Sequence, residues 1–156
     1  VKESTKKHVR FLSRIFFGLY ILLLIYLMFF SEEWGRNFMG GDYRYNLVPF
    51  REIRRYLQYY QRIGGWLVLF NLAGNILAFI PFGALLPLIT REGSGFAKTA
   101  LLSMDLSLCI EVAQLALRAG SCDVDDMILN TLGGCVGYGL YRLAVWVKEK
   151  KIEKKI

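Results

Sequence analysis

The sequence predicts an all-α, polytopic membrane protein with four transmembrane helices and one short interfacial amphipathic helix in the first outer loop. Three observations predict it. Of the 156 residues, 54% are hydrophobic, and the mean hydropathy is +0.35, high for a soluble domain of this size. The apolar residues gather into runs of roughly 18 or more with few charges, the length a helix needs to cross a bilayer. The basic residues crowd at alternate ends of those runs. The length suits one compact domain and not two.

The first run, FLSRIFFGLYILLLIYLMFF at 11–30, carries a single charge, Arg14, near enough to one end to snorkel to the headgroups. A basic start ahead of an apolar run also fits a signal peptide. However, about twenty apolar residues is long for a signal core, and FFSEEWGR offers no small-x-small cleavage site, so an anchor is expected. Residues 31–64 form a long outer connection. Its first part, SEEWGRNFMGGDYRY, reads as irregular loop. Its second part, NLVPFREIRRYLQYYQRIGG, reads as a short helix with Pro49 suited to the first turn and Gly64-Gly65 as the stop. Phe50, Ile53, Leu57 and Tyr60 recur at helical spacing, while Arg51, Arg54, Arg55 and Arg62 hold much of the remaining surface. An apolar stripe beside a basic face suits a helix lying at the membrane interface, or one that caps the bundle.

The second span, about 66–88, is uncharged but interrupted by Asn71, Asn75, Pro81 and Pro87. The third, about 96–117, carries Asp105 and Glu111. The fourth, about 127–147, is rich in glycine, and its Gly133 and Gly137 form a GxxxG that admits close backbone approach. The chain thus divides into a basic tail (1–10), a membrane domain (11–147) and a second basic tail (148–156).

Orientation follows from positive charge near the span ends. Lys2, Lys6, Lys7, Arg10 and Arg14 flank the first span, and Lys148, Lys150, Lys151, Lys154 and Lys155 follow the last. Four spans put both termini on one side, expected to be cytoplasmic. The net charge of +7 is then explained by tails at an anionic inner leaflet, with no nucleic acid implied. Three cysteines without CxxC spacing give neither a disulfide framework nor a zinc site. Cys109 and Cys135 are expected to be buried, and Cys122 to be a loop thiol.

On this topology the polar residues of separate spans reach one depth. Asn71 and Asn75 are four apart in the outer half of the second span. Ser107, Glu111, Gln114 and Arg118 form one stripe climbing the third, and Asp126 and Asn130 open the fourth. Asn46 precedes the surface helix and can cover them. An acid within a spanning helix costs about 2.5–3.5 kcal/mol near the centre and less towards the interface. Interhelical hydrogen bonding accounts well for Asn71, Asn75 and Asn130, but poorly for Glu111 together with Asp123, Asp125 and Asp126, whose charges repel. A functional cleft is therefore favoured over glue between helices. Asp105 lies off this stripe, near mid-span, and receives no role.

The motifs NLVPF (46–50), NLAGNILAFIPFGALLP (71–87), SLCIEVAQ (107–114) and RAGSCDVDDMILNTLGGCVGY (118–138) resemble, in order and spacing, those of the VanZ-like family. The family's polar positions fall on Asn46, Pro49, Asn71, Asn75, Pro81, Glu111, Gln114, Arg118, Asp123, Asp126 and Asn130, and its closing glycines on Gly133 and Gly134. The resemblance implies a small multi-pass protein of the bacterial cytoplasmic membrane, in a family named for a member linked to glycopeptide resistance, chiefly to teicoplanin. It brings no settled chemical activity.

Two functional readings follow, and whether the chain is an enzyme is left open. In the first, an outward polar cleft binds or modifies a lipid or lipid-linked cell-wall headgroup through Asn46, Asn71, Asn75, Gln114, Arg118, Asp123 and Asn130. In the second, Glu111 and Asp126 act as acid and base of a membrane hydrolase or transferase, one carboxyl pKa raised by an apolar wall while the other stays ionised. No cofactor is expected, although Asp123, Asp125 and Asp126 offer oxygen ligands suited to Mg²⁺ or Ca²⁺. Sequence fingerprints of soluble enzymes (P-loop, GxSxG, HExxH) are absent. A transporter is disfavoured, because four spans are few and no inverted halves are visible. Self-association into a homo-oligomer is left open.

Overall fold

The computed structural model describes residues 3–30, 45–63, 65–90, 94–118 and 121–153. The predicted irregular segment 31–44, Gly64 and the last three residues lie outside the described residues. The described chain is mostly helical. It runs α1 (Glu3–Phe30), β1 (Tyr45–Asn46), α2 (Arg51–Ile63), α3 (Gly65–Ile89), α4 (Phe96–Leu117), β2 (Cys122–Asp123) and α5 (Val124–Glu153).

Among the described residues, three helical stretches are long and apolar enough to cross a membrane: Lys7–Phe29, Asn71–Ile89 and Phe96–Leu117. The predicted fourth span lies inside α5, a 30-residue helix that is less apolar because glycines, acids and a lysine-rich end share it. The outer surface of the bundle is apolar: Phe11, Phe16, Leu19 and Leu22 on α1, Leu77 on α3, and Leu101, Leu108 and Val112 on α4 are exposed. Contiguous apolar surface of that kind is rare on soluble monomers and ordinary for a chain solvated by lipid.

Glycine sets how closely the two central helices approach. A Cβ on Gly133 would overlap the Ile76 carbonyl of α3, one on Gly137 the Ile80 carbonyl, and one on Gly83 the Gly134 carbonyl of α5. On its other side α5 receives α4, where Gly134 faces the Ser103 side chain. The first helix lies along α3, and its Tyr20 hydroxyl donates to the Ala78 carbonyl (2.8 Å). Leu24, Phe79 and Ile110 form the core between α1, α3 and α4.

One expectation is corrected. Cys109 is exposed, not buried, because it lies towards the outer side of α4, away from the stripe that packs. Asp105, which received no role, is exposed on the same helix.

Two short strands close the end of the bundle where α3 and α5 begin. They pair in parallel, Tyr45 with Cys122 and Asn46 with Asp123. This ladder ties the chain entering α2 to the start of α5, and so holds α2 across that end.

A polar cavity beneath the second helix

The start of α5 organises the site. Asp125 is 1% exposed, and its carboxylate accepts from the backbone N–H groups of Phe50 (2.5 Å), Glu52 (2.8 Å) and Ile53 (3.1 Å). A helix N-terminus leaves its first N–H groups without intrahelical partners and carries partial positive charge, so a carboxylate there is favoured twice over. The cap comes from a distant part of the chain. It also stabilises Phe50 in the left-handed region (φ 62°), an uncommon conformation for a residue with a Cβ.

A second layer surrounds this cap. Asp123 Oδ1 accepts from Asn46 Nδ2 (3.0 Å) and from the Asp125 N–H (2.8 Å). Asn46 Oδ1 in turn accepts from the Val48 N–H (3.2 Å), closing an Asx-type turn before α2. Glu111 is 2% exposed, and its carboxylate accepts from the Asp123 N–H (2.8 Å). Asn75 Nδ2 donates to Asp126 (2.5 Å). Between helices, Asn130 Nδ2 donates to Ser107 Oγ (2.8 Å) and Gln114 Nε2 to the Met28 carbonyl of α1 (2.7 Å).

These contacts frame a cavity of about 470 Å³. Helix α2 contributes Glu52, Ile53, Arg55 and Tyr56, and α3 contributes Asn71, Leu72 and Asn75. Tyr45, Asn46, Ser121 and Asp123 come from the strand ladder and its approach, and Asp125, Asp126 and Leu129 from α5. Four carboxylates face one guanidinium, and that guanidinium, Arg55, is paired with Glu52 at 2.5 Å. Burial is the main cause that holds the Asp123 carboxyl above the usual carboxylate range, partly offset by its hydrogen bonds from Asp125 and Asn46. The Cys122 thiol is likewise pushed up, by burial and then by Glu111 and Asp123.

Residues 17–145 match the VanZ/LLP1 family. The chain is also 30% identical over 150 residues to Protein VanZ of Enterococcus faecium, an alignment that covers 94% of this chain and 84% of that protein. The chain belongs to the VanZ/LLP1 family. No solved structure matches it.

The part of the chain that matches VanZ/LLP1 contains the entire cavity wall. Among the residues singled out in the sequence, Asn46, Asn71, Asn75, Asp123 and Asp126 share that wall. Glu111, Gln114 and Asn130 are buried between helices and are not among its lining residues. Arg118 is exposed at the C-cap of α4, where it adopts the left-handed conformation (φ 52°) that often ends a helix. Sequence reasoning missed Tyr45, Glu52, Arg55, Tyr56 and Ser121. The spacing of Glu52 and Tyr56, four apart on one α2 face and turned away from Arg51 and Arg54, was the signal available for two of them. Asp125, named from the sequence only as an oxygen ligand that a cation could use, caps α2. The three aspartates turn to separate partners, and among the described residues no three His, Cys, Asp or Glu side chains are grouped as a metal site.

Proposed function

We propose that this VanZ/LLP1 protein is a four-span protein of the bacterial cytoplasmic membrane, with α5 as the fourth span and both termini cytoplasmic. In this reading α2 lies at the outer interface, and the cavity beneath it binds the polar headgroup of a lipid or lipid-linked cell-wall intermediate. By holding that headgroup the protein contributes to resistance to glycopeptides of the teicoplanin type. The observation that carries the reading is the cavity itself. Its volume, about 470 Å³, falls within the roughly 300–1,000 Å³ usual for small-molecule sites. Its wall is polar where most such sites are apolar, which suits a headgroup and not an acyl chain. Carboxylates and amide oxygens on that wall accept from hydroxyl and amine donors.

Charge supports the outward orientation. The cavity lies at the end of the bundle where α1 and α4 finish and α3 and α5 begin. Lys7 and Arg10 near the start of α1, Lys98 in α4 and Lys148, Lys150 and Lys151 in α5 occupy the opposite end, the side that basic residues mark as cytoplasmic. Arg55 stands on the cavity wall, and a guanidinium there suits the phosphate of a lipid-linked headgroup.

Binding is preferred to catalysis for one reason. Glu111, half of the acid–base pair named from the sequence, is buried against the Asp123 backbone instead of standing on the cavity wall beside Asp126. The test expresses the wild type, Asn71→Ala, Asp126→Asn and Glu111→Gln in a teicoplanin-susceptible host at matched membrane levels. The wild type raises the inhibitory concentration, and the two cavity-wall variants lose most of that increase while Glu111→Gln retains part of it. Complete loss in Glu111→Gln alone, with its fold intact, would favour the enzyme. An unchanged phenotype in every variant would remove the cavity from the function.

A further inference from the structure

Helix α4 turns one line of buried side chains inward, Thr99, Ser103, Ser107 and Glu111, each four residues from the next. Helix α5 runs along that line. Asn130 Nδ2 donates to Ser107 Oγ, and Gly134 lies against the Ser103 side chain. Four residues back on α4 is thus matched by four residues forward on α5, and the next such step sets Thr99 level with Tyr138. The Tyr138 ring there meets Phe96 of the first turn of α4, with centroids 6.0 Å apart. A polar seam therefore follows α4 through most of its length.

Two atoms in the seam are left over. Asn130 is 1% exposed and Thr99 0%, yet Asn130 Oδ1 and Thr99 Oγ1 meet no hydrogen-bond partner among the described residues. Flipping the Asn130 amide only exchanges the problem, since Oδ1 would then accept from Ser107 and Nδ2 would be the orphan. A helical threonine hydroxyl can bond the carbonyl four residues back, but the Gly95 carbonyl receives the Thr99 backbone N–H (3.0 Å) and not the hydroxyl. Buried polar groups nearly always have partners, and the hydrocarbon around a span supplies none.

We propose that the α4–α5 seam binds ordered water at two sites within the bundle, one on Asn130 and Ser107 and one on Thr99 and Ser103. Four residues of helix rise about 6 Å. That is too far for a direct bond between successive hydroxyls, and close to two O–H···O bonds of about 2.8 Å in series. Ser103 Oγ donates to the Thr99 carbonyl (2.8 Å), so its lone pairs remain to accept from a water that also bonds Thr99 Oγ1. Ser107 Oγ accepts from Asn130, so its hydrogen remains to donate to a water that in turn donates to Asn130 Oδ1. Each water then has the two polar partners that ordered buried water needs. Donors and acceptors stand together at both sites, which suits water, whereas a cation would meet the Asn130 amide hydrogens. Neither site depends on what the cavity binds.

Solid-state NMR of the isotope-labelled chain in lipid bilayers tests this by timing the passage of magnetisation from water to side chains. In the wild type it reaches the Asn130 amide and the Thr99 methyl group well before the Leu24 methyl groups of the apolar core. Thr99→Val, which is nearly isosteric, loses the early signal at Ser103 and keeps that at Asn130. It also lowers the melting temperature, because a bonded hydroxyl is removed, whereas removal of an unpaired one would raise it. If Thr99→Val fails to accumulate, the wild-type transfer times decide. The proposal is overturned if water reaches either Asn130 or Thr99 no earlier than Leu24, or if Thr99→Val raises the melting temperature.

Discussion

Asp125 holds the first turn of α2 from a position more than seventy residues further along the chain, and its carboxylate serves three backbone donors. Replacing it with alanine leaves those N–H groups facing a vacated, largely buried space. A lost N-cap typically costs about 1 kcal/mol, and hydrogen bonds to an ionised group about 1.5–3 kcal/mol. Asp125→Ala is therefore expected to lower stability by at least about 2 kcal/mol and to release α2. Trypsin should then cleave at Arg51, Arg54 or Arg55 faster than in the wild type, and an unchanged cleavage rate would refute the capping role. Asp125→Asn keeps one acceptor oxygen and should lie between the two. Asp123 governs a pH effect of definite sign. Its carboxyl is raised by burial, so the folded state binds the proton more tightly than the unfolded chain does. The associated stability is complete below the unfolded pKa and is lost as pH rises through the folded one. Thermal unfolding in detergent should show the wild type losing ground to Asp123→Asn as pH is raised from about 4. The opposite slope would contradict the assignment.

The helices α3 and α5 are held by glycine at their contact, and this makes a sharp contrast with glycines elsewhere. Gly83→Ala and Gly133→Ala place a methyl group against backbone of the facing helix, and Gly18→Ala and Gly139→Ala meet open space. Overpacking costs typically 1–3 kcal/mol, so the first pair should lower the melting temperature. The second pair should be neutral or slightly stabilising, since alanine is favoured over glycine in a helix by about 1 kcal/mol. Equal effects in both pairs would refute the close approach. The GxxxG spacing made half of that contact visible in the sequence. The extents of α3 and α4 were also legible, because long apolar runs with few charges end at glycines and charged turns. The α5 helix runs beyond its predicted apolar stretch at both ends, since Val124, Asp125 and Asp126 already form its first turn and the lysine-rich end stays helical to Glu153. The two-residue strands were not legible. A pair that short has no periodicity, and its partners are distant in the chain. For the same reason the capping role of Asp125 was not legible, since nothing local reveals that a helix begins opposite it.

Taken together, the chain places apolar surface around the sides of the bundle and gathers much of its buried polar chemistry at one end. The sequence revealed this gathering because helical spacing and alternating topology bring Asn71, Asn75, Asp123 and Asp126 to one level. It did not reveal the division of labour within it. Glu111, Gln114 and Asn130 spend their hydrogen bonds on backbone and neighbouring helices, whereas the amides and acids nearer α2 stand on the cavity wall. A polar cavity at one end of a membrane bundle serves an envelope substrate only if that end faces outward. Labelling of single cysteines in intact cells with a membrane-impermeant maleimide tests this most directly, with the native cysteines replaced. Cysteine at Asn71, on the cavity wall, should react in intact cells, and cysteine at Glu149 should react only after the membrane is opened. Labelling of position 149 in intact cells, with position 71 protected until the membrane is opened, would contradict the account.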